Sequence, residues 1–240
     1  MAGETIRTEA ICLSIRPWSQ TSHVVTWLTP DGKVATVVKG AVRPKSQFLG
    51  QYDLNYTCEI LYYARAKGEL HALREAYPTM MREPLRLNYR ALVIADYFRS
   101  LVRELAPMGM ECRTWYEALA RALDACQELA GGSQAESALV LLVRFELKVL
   151  QLSGLTPDFA GYDVTKEWMS FDIESGAFCE GTSGRLLRVE REVAEFLRNP
   201  QENPRKRKIP LDAARVIGVF DIFHLDCASD VRRTVLRVIS

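Results

Sequence analysis

The sequence predicts an α+β chain in two parts, a small closed β-barrel over residues 1–78 followed by a mostly helical domain over 79–240. Three observations predict it. The first third alternates residue by residue, the period of strands. Between Pro78 and Pro84 the apolar period lengthens to three and four residues, the spacing of amphipathic helices. A later stretch, from about Ser133 to Leu152, is apolar on most sides, as the central helix of a bundle is.

The strands come in order. Thr8 to Ile15 places Ile11, Leu13 and Ile15 on one face. Val24, Thr26 and Leu28 then alternate with Val25 and Trp27. After the turn Pro30-Asp31-Gly32, Lys33 to Lys39 alternates again. Ala41 to Gln51 reads as a loop with few core candidates, and two further strands follow at Asn55 to Ala64 and Glu69 to Arg74. Five strands in about 75 residues, apolar on both faces, suit a minimal OB-type barrel rather than an open sheet.

Helical spacing then runs from Leu85 to Leu105 and from Trp115 to Leu129, the second stopped by Gly131-Gly132. The central helix ends at Gly154 and Pro157. Residues 158–184 read as an irregular or hairpin-like insert. Val189 to Arg198, Leu211 to Cys227 and a short segment from Asp230 return to helical spacing.

Composition removes several function classes. The formal net charge of +1 does not by itself announce nucleic acid. The longest purely apolar run is far too short to span a bilayer, and no signal sequence is visible, so a cytoplasmic location without a membrane partner is expected. The cysteines at 12, 58, 112, 126, 179 and 227 form no Cys-x-x-Cys pair and read as reduced, buried small hydrophobes. His23, His71 and His224 lack metal-ligand spacing and read as structural. No phosphate-binding glycine loop or nucleophile elbow occurs, so neither an enzyme nor a cofactor is expected.

Charge distribution says more than the total. Between Asp31 and Asp53 there is no acidic residue, yet Lys33, Lys39, Arg43 and Lys45 fall there. Nucleic-acid binding without sequence preference needs such a positive groove, with aromatic faces for bases. Trp18, Trp27, Phe48 and Tyr52 are the candidate platforms, although Trp27, inside an alternating strand, suits the core better. The competing reading makes the cations a solvated rim and the aromatics core. Arg205-Lys206-Arg207-Lys208 is the densest positive run, either a contact for a DNA backbone or acidic partner tail, or a solvated loop between helices. Arg144, with Glu146 and Lys148, punctuates the central helix and either meets a partner carboxylate or closes an internal salt bridge.

Ordered motif blocks add a resemblance. Glu9-Ala10-Ile11, Arg16-Pro17-Trp18-Ser19-Gln20-Thr21-Ser22, Gly32-Lys33-Val34 and Val38-Lys39-Gly40-Ala41-x-Arg43-Pro44-Lys45-Ser46 resemble the bacterial RecO family of DNA-repair proteins. So do Gly68-Glu69-Leu70-His71-x-Leu73-Arg74-Glu75-Ala76 and Arg144-Phe145-Glu146-Leu147-x-x-Leu150-x-x-x-Gly154. The resemblance implies an OB-fold joined to a helical domain, and a mediator of recombination and repair rather than an enzyme. It implies binding of single- and double-stranded DNA, annealing of complementary strands, and a place at the nucleoid. The implied partners are RecR and the acidic C-terminal tail of the single-stranded DNA-binding protein, with RecA loaded indirectly. The resemblance places the family's basic loop on Lys39, Arg43 and Lys45 and a tail-carboxylate contact on Arg144. With the charge pattern, the expected DNA contacts are Arg16, Lys33, Lys39, Arg43 and Lys45, and the expected partner contacts Arg144, Arg205, Lys206, Arg207 and Lys208.

The sequence departs from the family in one place. Many members carry two Cys-x-x-Cys pairs in the insert, a tetrahedral zinc site. Here no cysteine stands at 160–163, and Cys179 is paired with Thr182, so the insert reads as a degenerate zinc-type module held by packing. A protein-interaction adaptor that touches DNA only incidentally is the rival reading.

Overall fold

The computed structural model describes residues 4–65, 70–108, 110–132, 137–181, 184–204, 206, 208–225 and 229–239. It divides into two compact units, residues 1–131 and 132–240. The change from strand to helix falls at Met80 to Pro84, inside the first unit, so the first three helices pack with the barrel.

Strands β1 (Thr5–Ser19), β2 (Ser22–Thr29), β3 (Gly32–Val38), β4 (Thr57–Tyr63) and β5 (Leu70–Met80) close into a barrel of order β1-β2-β3-β5-β4. All neighbours are antiparallel except β3 and β5, which meet in parallel over Ala35–Leu70, Thr36–His71 and Val37–Ala72. This is the five-stranded OB arrangement that the alternation predicts.

Both faces of the strands are buried, for different reasons. Ala10, Cys12, Val25, Trp27, Cys58, Ile60 and Leu73 fill the barrel. Ile11 and Leu13 are fully buried outside that cluster, on the strand against which helix α2 (Tyr89–Leu105) packs. A register shift between Cys12 and Ser14 then turns Ile15 back onto the barrel core. Ile11, Leu13 and Ile15, expected on one face, are therefore divided by a bulge, which re-aims every side chain beyond it.

Short helix α1 (Pro84–Leu87), α2 and α3 (Arg113–Ala130) cover the barrel. Two buried arginines fasten them. Arg82 donates to the Asn55 carbonyl at 2.8 Å, the Thr57 hydroxyl at 3.0 Å and Asp124 of α3 at 2.9 Å. Arg99 of α2 donates to the Leu13 carbonyl of β1 and to Asp96. The Tyr116 hydroxyl donates to Glu9 at 2.6 Å. Burial pushes the thiols of Cys12, Cys58 and Cys126 up, Cys58 to about 12, so they stay protonated small hydrophobes as expected. Cys227 lies outside the described residues.

The second unit is built on helix α4 (Ala138–Leu152). Its N-cap is Ser137, which accepts from the Val140 amide; Ser133, near which the sequence opens this helix, lies outside the described residues. The insert is more regular than its composition suggests. Strands β6 (Trp168–Asp172), β7 (Ala177–Cys179) and β8 (Leu186–Glu190) make a sheet of order β7-β6-β8. Phe178 stacks on Phe159 at 4.9 Å and meets Phe171 at 5.0 Å, so aromatic packing fills the insert. Among the described residues no group of three His, Cys, Asp or Glu is placed to hold a metal.

Helices α5 (Arg191–Arg198), α6 (Lys208–His224) and α7 (Ser229–Ile239) complete this unit. A buried pair joins α4 to α7: Arg232 donates to both oxygens of Glu146, at 2.6 and 2.8 Å, and to the Ala214 carbonyl at 2.6 Å. Gly218 makes room for it, since a Cβ there would lie 1.9 Å from Arg232 Nη1. Asp221 lines the same cluster, and burial followed by the Glu146 charge pushes its carboxyl well above the ordinary range.

Candidate nucleic-acid interface

Strand register decides which predicted cations meet. Arg16 pairs with Val24, which pairs with Val37; Pro17 pairs with His23, which pairs with Val38. The end of β1 and the end of β3 therefore share one rim of the barrel. Arg16, Trp18, Lys39, Arg43 and Lys45 all sit there, exposed.

The loop after β3 is a chain of tight turns rather than a loose excursion. Gly40, at φ 66°, turns the chain out of β3, and the Arg43 stem lies where a Cβ would point, 3.2 Å away. Only glycine suits both demands. The Val42 amide donates to the Thr21 carbonyl at 3.3 Å and the Gly40 amide to the Ser22 hydroxyl at 3.3 Å, tying the loop to the β1–β2 hairpin. Ala41 and Phe48, in a segment expected to hold few core residues, are buried in the barrel core and anchor the loop at both ends. Lys39, Arg43 and Lys45 are left on its outer side.

Residues 10–30 and 32–52 contain no Asp or Glu. Among the described residues Arg16, Lys39, Arg43 and Lys45 have no carboxylate partner. Four cations without a carboxylate partner of their own, on acid-free stretches of sequence, make a positive site for phosphates, because no ion pair must be broken first.

Lys33 is a correction. It stands at the opposite end of β3, paired with Leu28, and is only 8% exposed. Its ammonium donates to the Arg103 carbonyl of α2 at 2.9 Å, and burial lowers its pKa. Lys33 fastens a helix to the barrel and is not offered to a phosphate. The aromatics divide as sharply. Trp27 is fully buried, with its indole donating to Thr36 at 2.9 Å; Phe48 is core; Tyr52 is half-buried and hydrogen-bonded to His23 at 2.8 Å. Of the four candidate platforms only Trp18, 63% exposed, presents an open ring.

The second unit's candidates are occupied at home. Arg144 donates to the carbonyls of Pro200 and Gln201, and to Asn203 at 3.3 Å, so its guanidinium holds the segment between α5 and α6. On the same helix Glu146 pairs with Arg232. Lys206 pairs with Glu192 at 2.7 Å, and Lys208 with Glu190 and Asp212 at 3.3 Å each. Arg205 and Arg207 lie outside the described residues.

The chain matches two family models, "Recombination protein O N terminal" over residues 1–81 and "Recombination protein O C terminal" over residues 86–162. It is 27% identical over 191 residues to a DNA repair protein RecO of Roseiflexus sp. (strain RS-1), covering 77% of this chain and 64% of that protein. It is 28% identical over 151 residues to the DNA repair protein RecO of Idiomarina loihiensis, covering 62% of this chain and 61% of that one. A third RecO, from Salinibacter ruber, is 29% identical over 42% of this chain and 41% of its own length. The chain thus spans under two thirds of the length of each of these relatives. With its barrel and its first helices both matched in order, this chain belongs to the RecO family.

Proposed function

We infer that this chain is a non-catalytic mediator of DNA recombination and repair that holds DNA on the rim of its barrel. The observation that carries this reading is the unpaired, acid-free set Arg16, Lys39, Arg43 and Lys45, within the segment matched by the family's N-terminal model. Cations so placed bind phosphates of single or double strands alike, with counterion release supplying the affinity. Two strands whose phosphates are partly neutralised approach with less repulsion, and their bases stay free to pair. Annealing follows from that electrostatics without a catalytic group.

On this reading residues 1–78 form the DNA-binding domain and residues 79–240 carry the protein contacts. The partners are RecR and the acidic tail of the single-stranded DNA-binding protein, with RecA loaded as the consequence. Among the described residues no helix is long and apolar enough to cross a membrane, which is compatible with work at the nucleoid. An annealing assay tests the whole reading, using complementary oligonucleotides, naked and coated with single-stranded DNA-binding protein, across a salt series. Annealing and affinity should fall together as salt rises. Affinity for the tail peptide without salt-sensitive DNA binding would instead mark an adaptor.

A further inference from the structure

Beside the rim, the barrel unit carries a cleft of about 430 Å³ whose residues the phosphate reading does not use. We propose that this cleft receives one unstacked nucleobase from a single strand whose phosphates lie on the rim. The proposal rests on the rim reading and adds a base subsite to it.

The floor of the cleft is apolar and aromatic, formed by Ile15, Phe48 and Tyr52. Its lip carries Val42 and Leu49, apolar side chains about half exposed each, on the loop that also exposes Arg43, Lys45 and Gln47. Both belong to the segment that presents Arg43 and Lys45, and Val42 is the direct neighbour of Arg43. A strand held by a phosphate at Arg43 therefore has a base within one nucleotide's reach of the opening. A base covering Val42 and Leu49 would remove their apolar surface from water.

The remaining wall is polar in a way that suits a base and not a second phosphate. Arg86 donates to Asp53 at 2.6 Å and to the Tyr56 hydroxyl at 2.8 Å, with its guanidinium 5.5 Å from the Tyr56 ring centre. Arg86 and Asp53 both stay about half exposed, so a planar donor fork and an acceptor stand side by side. Asp53 repels an anion at this spot, while a neutral base can use either partner. Every base has an apolar face and a hydrogen-bonding edge, so such a subsite tolerates any sequence. A base paired in a duplex cannot enter it. The subsite therefore favours single strands where the rim alone favours neither form.

The test separates phosphates from bases. An oligonucleotide of abasic residues carries the same backbone charge as oligo-dT of equal length and nothing to place in the cleft. The full chain should bind oligo-dT more tightly than the abasic strand, by roughly five- to tenfold. Leu49→Trp, which fills the mouth, should bring that ratio close to one while leaving affinity for the abasic strand unchanged. Val42→Trp, from the same loop, should do the same. Equal binding of both strands by the unaltered protein would overturn the cleft while the rim stands; binding of neither would overturn both. Loss of the preference in Trp18→Ala, with Leu49→Trp unaffected, would assign the base to Trp18 instead and end the proposal.

Discussion

The barrel rim and the second compact unit both carry basic residues singled out in the sequence, and they treat those candidates in opposite ways. On the rim, Arg16, Lys39, Arg43 and Lys45 face solvent without a carboxylate in the surrounding sequence. In the second unit Lys206, Lys208, Arg215 and Arg232 each meet an acid, and Arg144 is held by backbone carbonyls. Charge density along the chain is greatest at 205–208, yet its described members are locally neutralised. Availability of a cation depends on which carboxylates the fold brings to it, and a count of lysines and arginines does not reveal that.

Substitutions can break this contrast from either side. The largest effect belongs to Arg232→Ala, which removes the guanidinium held by both oxygens of the buried Glu146; urea unfolding should show a loss of about 3–5 kcal/mol. DNA affinity of the protein that remains folded should be unchanged. Next comes the double reversal Arg43→Glu with Lys45→Glu. Removing two phosphate contacts and adding two repulsions should lower DNA affinity by roughly ten- to a hundredfold and flatten the log–log salt slope by about two. An unaltered slope would place the DNA elsewhere.

Asp221→Asn probes the pH dependence of the committed side. The folded carboxyl titrates above its unfolded value, so the native state holds the extra proton, and stability falls as pH rises from about 4 through the folded pKa. The Asn variant should lose that decline and be more stable than the parent at pH 7. Thermal melts across pH 4 to 8 would show the two curves converging at the acid end. The smallest effect is expected for Lys206→Ala with Lys208→Ala, whose ion pairs are largely exposed. DNA affinity should change by less than about twofold; a loss as large as that of the rim variant would erase the distinction between the two regions.

Much of this was legible in sequence, and the failures have physical causes. Alternation with both faces apolar announces a closed barrel because only closure with a helical cover buries both sides of β1 and β2. Position alone could not place Lys33, which lies in the same acid-free stretch as Lys39. Six residues of strand carry it to the other end of the barrel, where a helix carbonyl waits. The helical spacing from Val189 includes the last residues of β8, since strand and helix abut at Glu190 and Arg191 with no breaker between them. Sequence leaves Phe48 open between platform and core because irregular segments bury side chains without any period. Nor does sequence foreshadow the pairing of Arg86 with Asp53, whose members stand 33 residues apart. The one available signal was the pair of apolar residues, Val42 and Leu49, in a loop with no other reason to keep them.

The seam between β3 and β5 has one more consequence. By joining the first hairpins to the last strand over Ala35–Leu70, Thr36–His71 and Val37–Ala72 it closes the ring, and along that stretch the facing edges of β3 and β5 are already paired with each other. Along that seam a partner strand finds no open edge to extend. Recognition at the barrel is left to side chains on loops and strand ends. Such contacts can be gained, lost or retuned one residue at a time, with the ladder beneath them undisturbed.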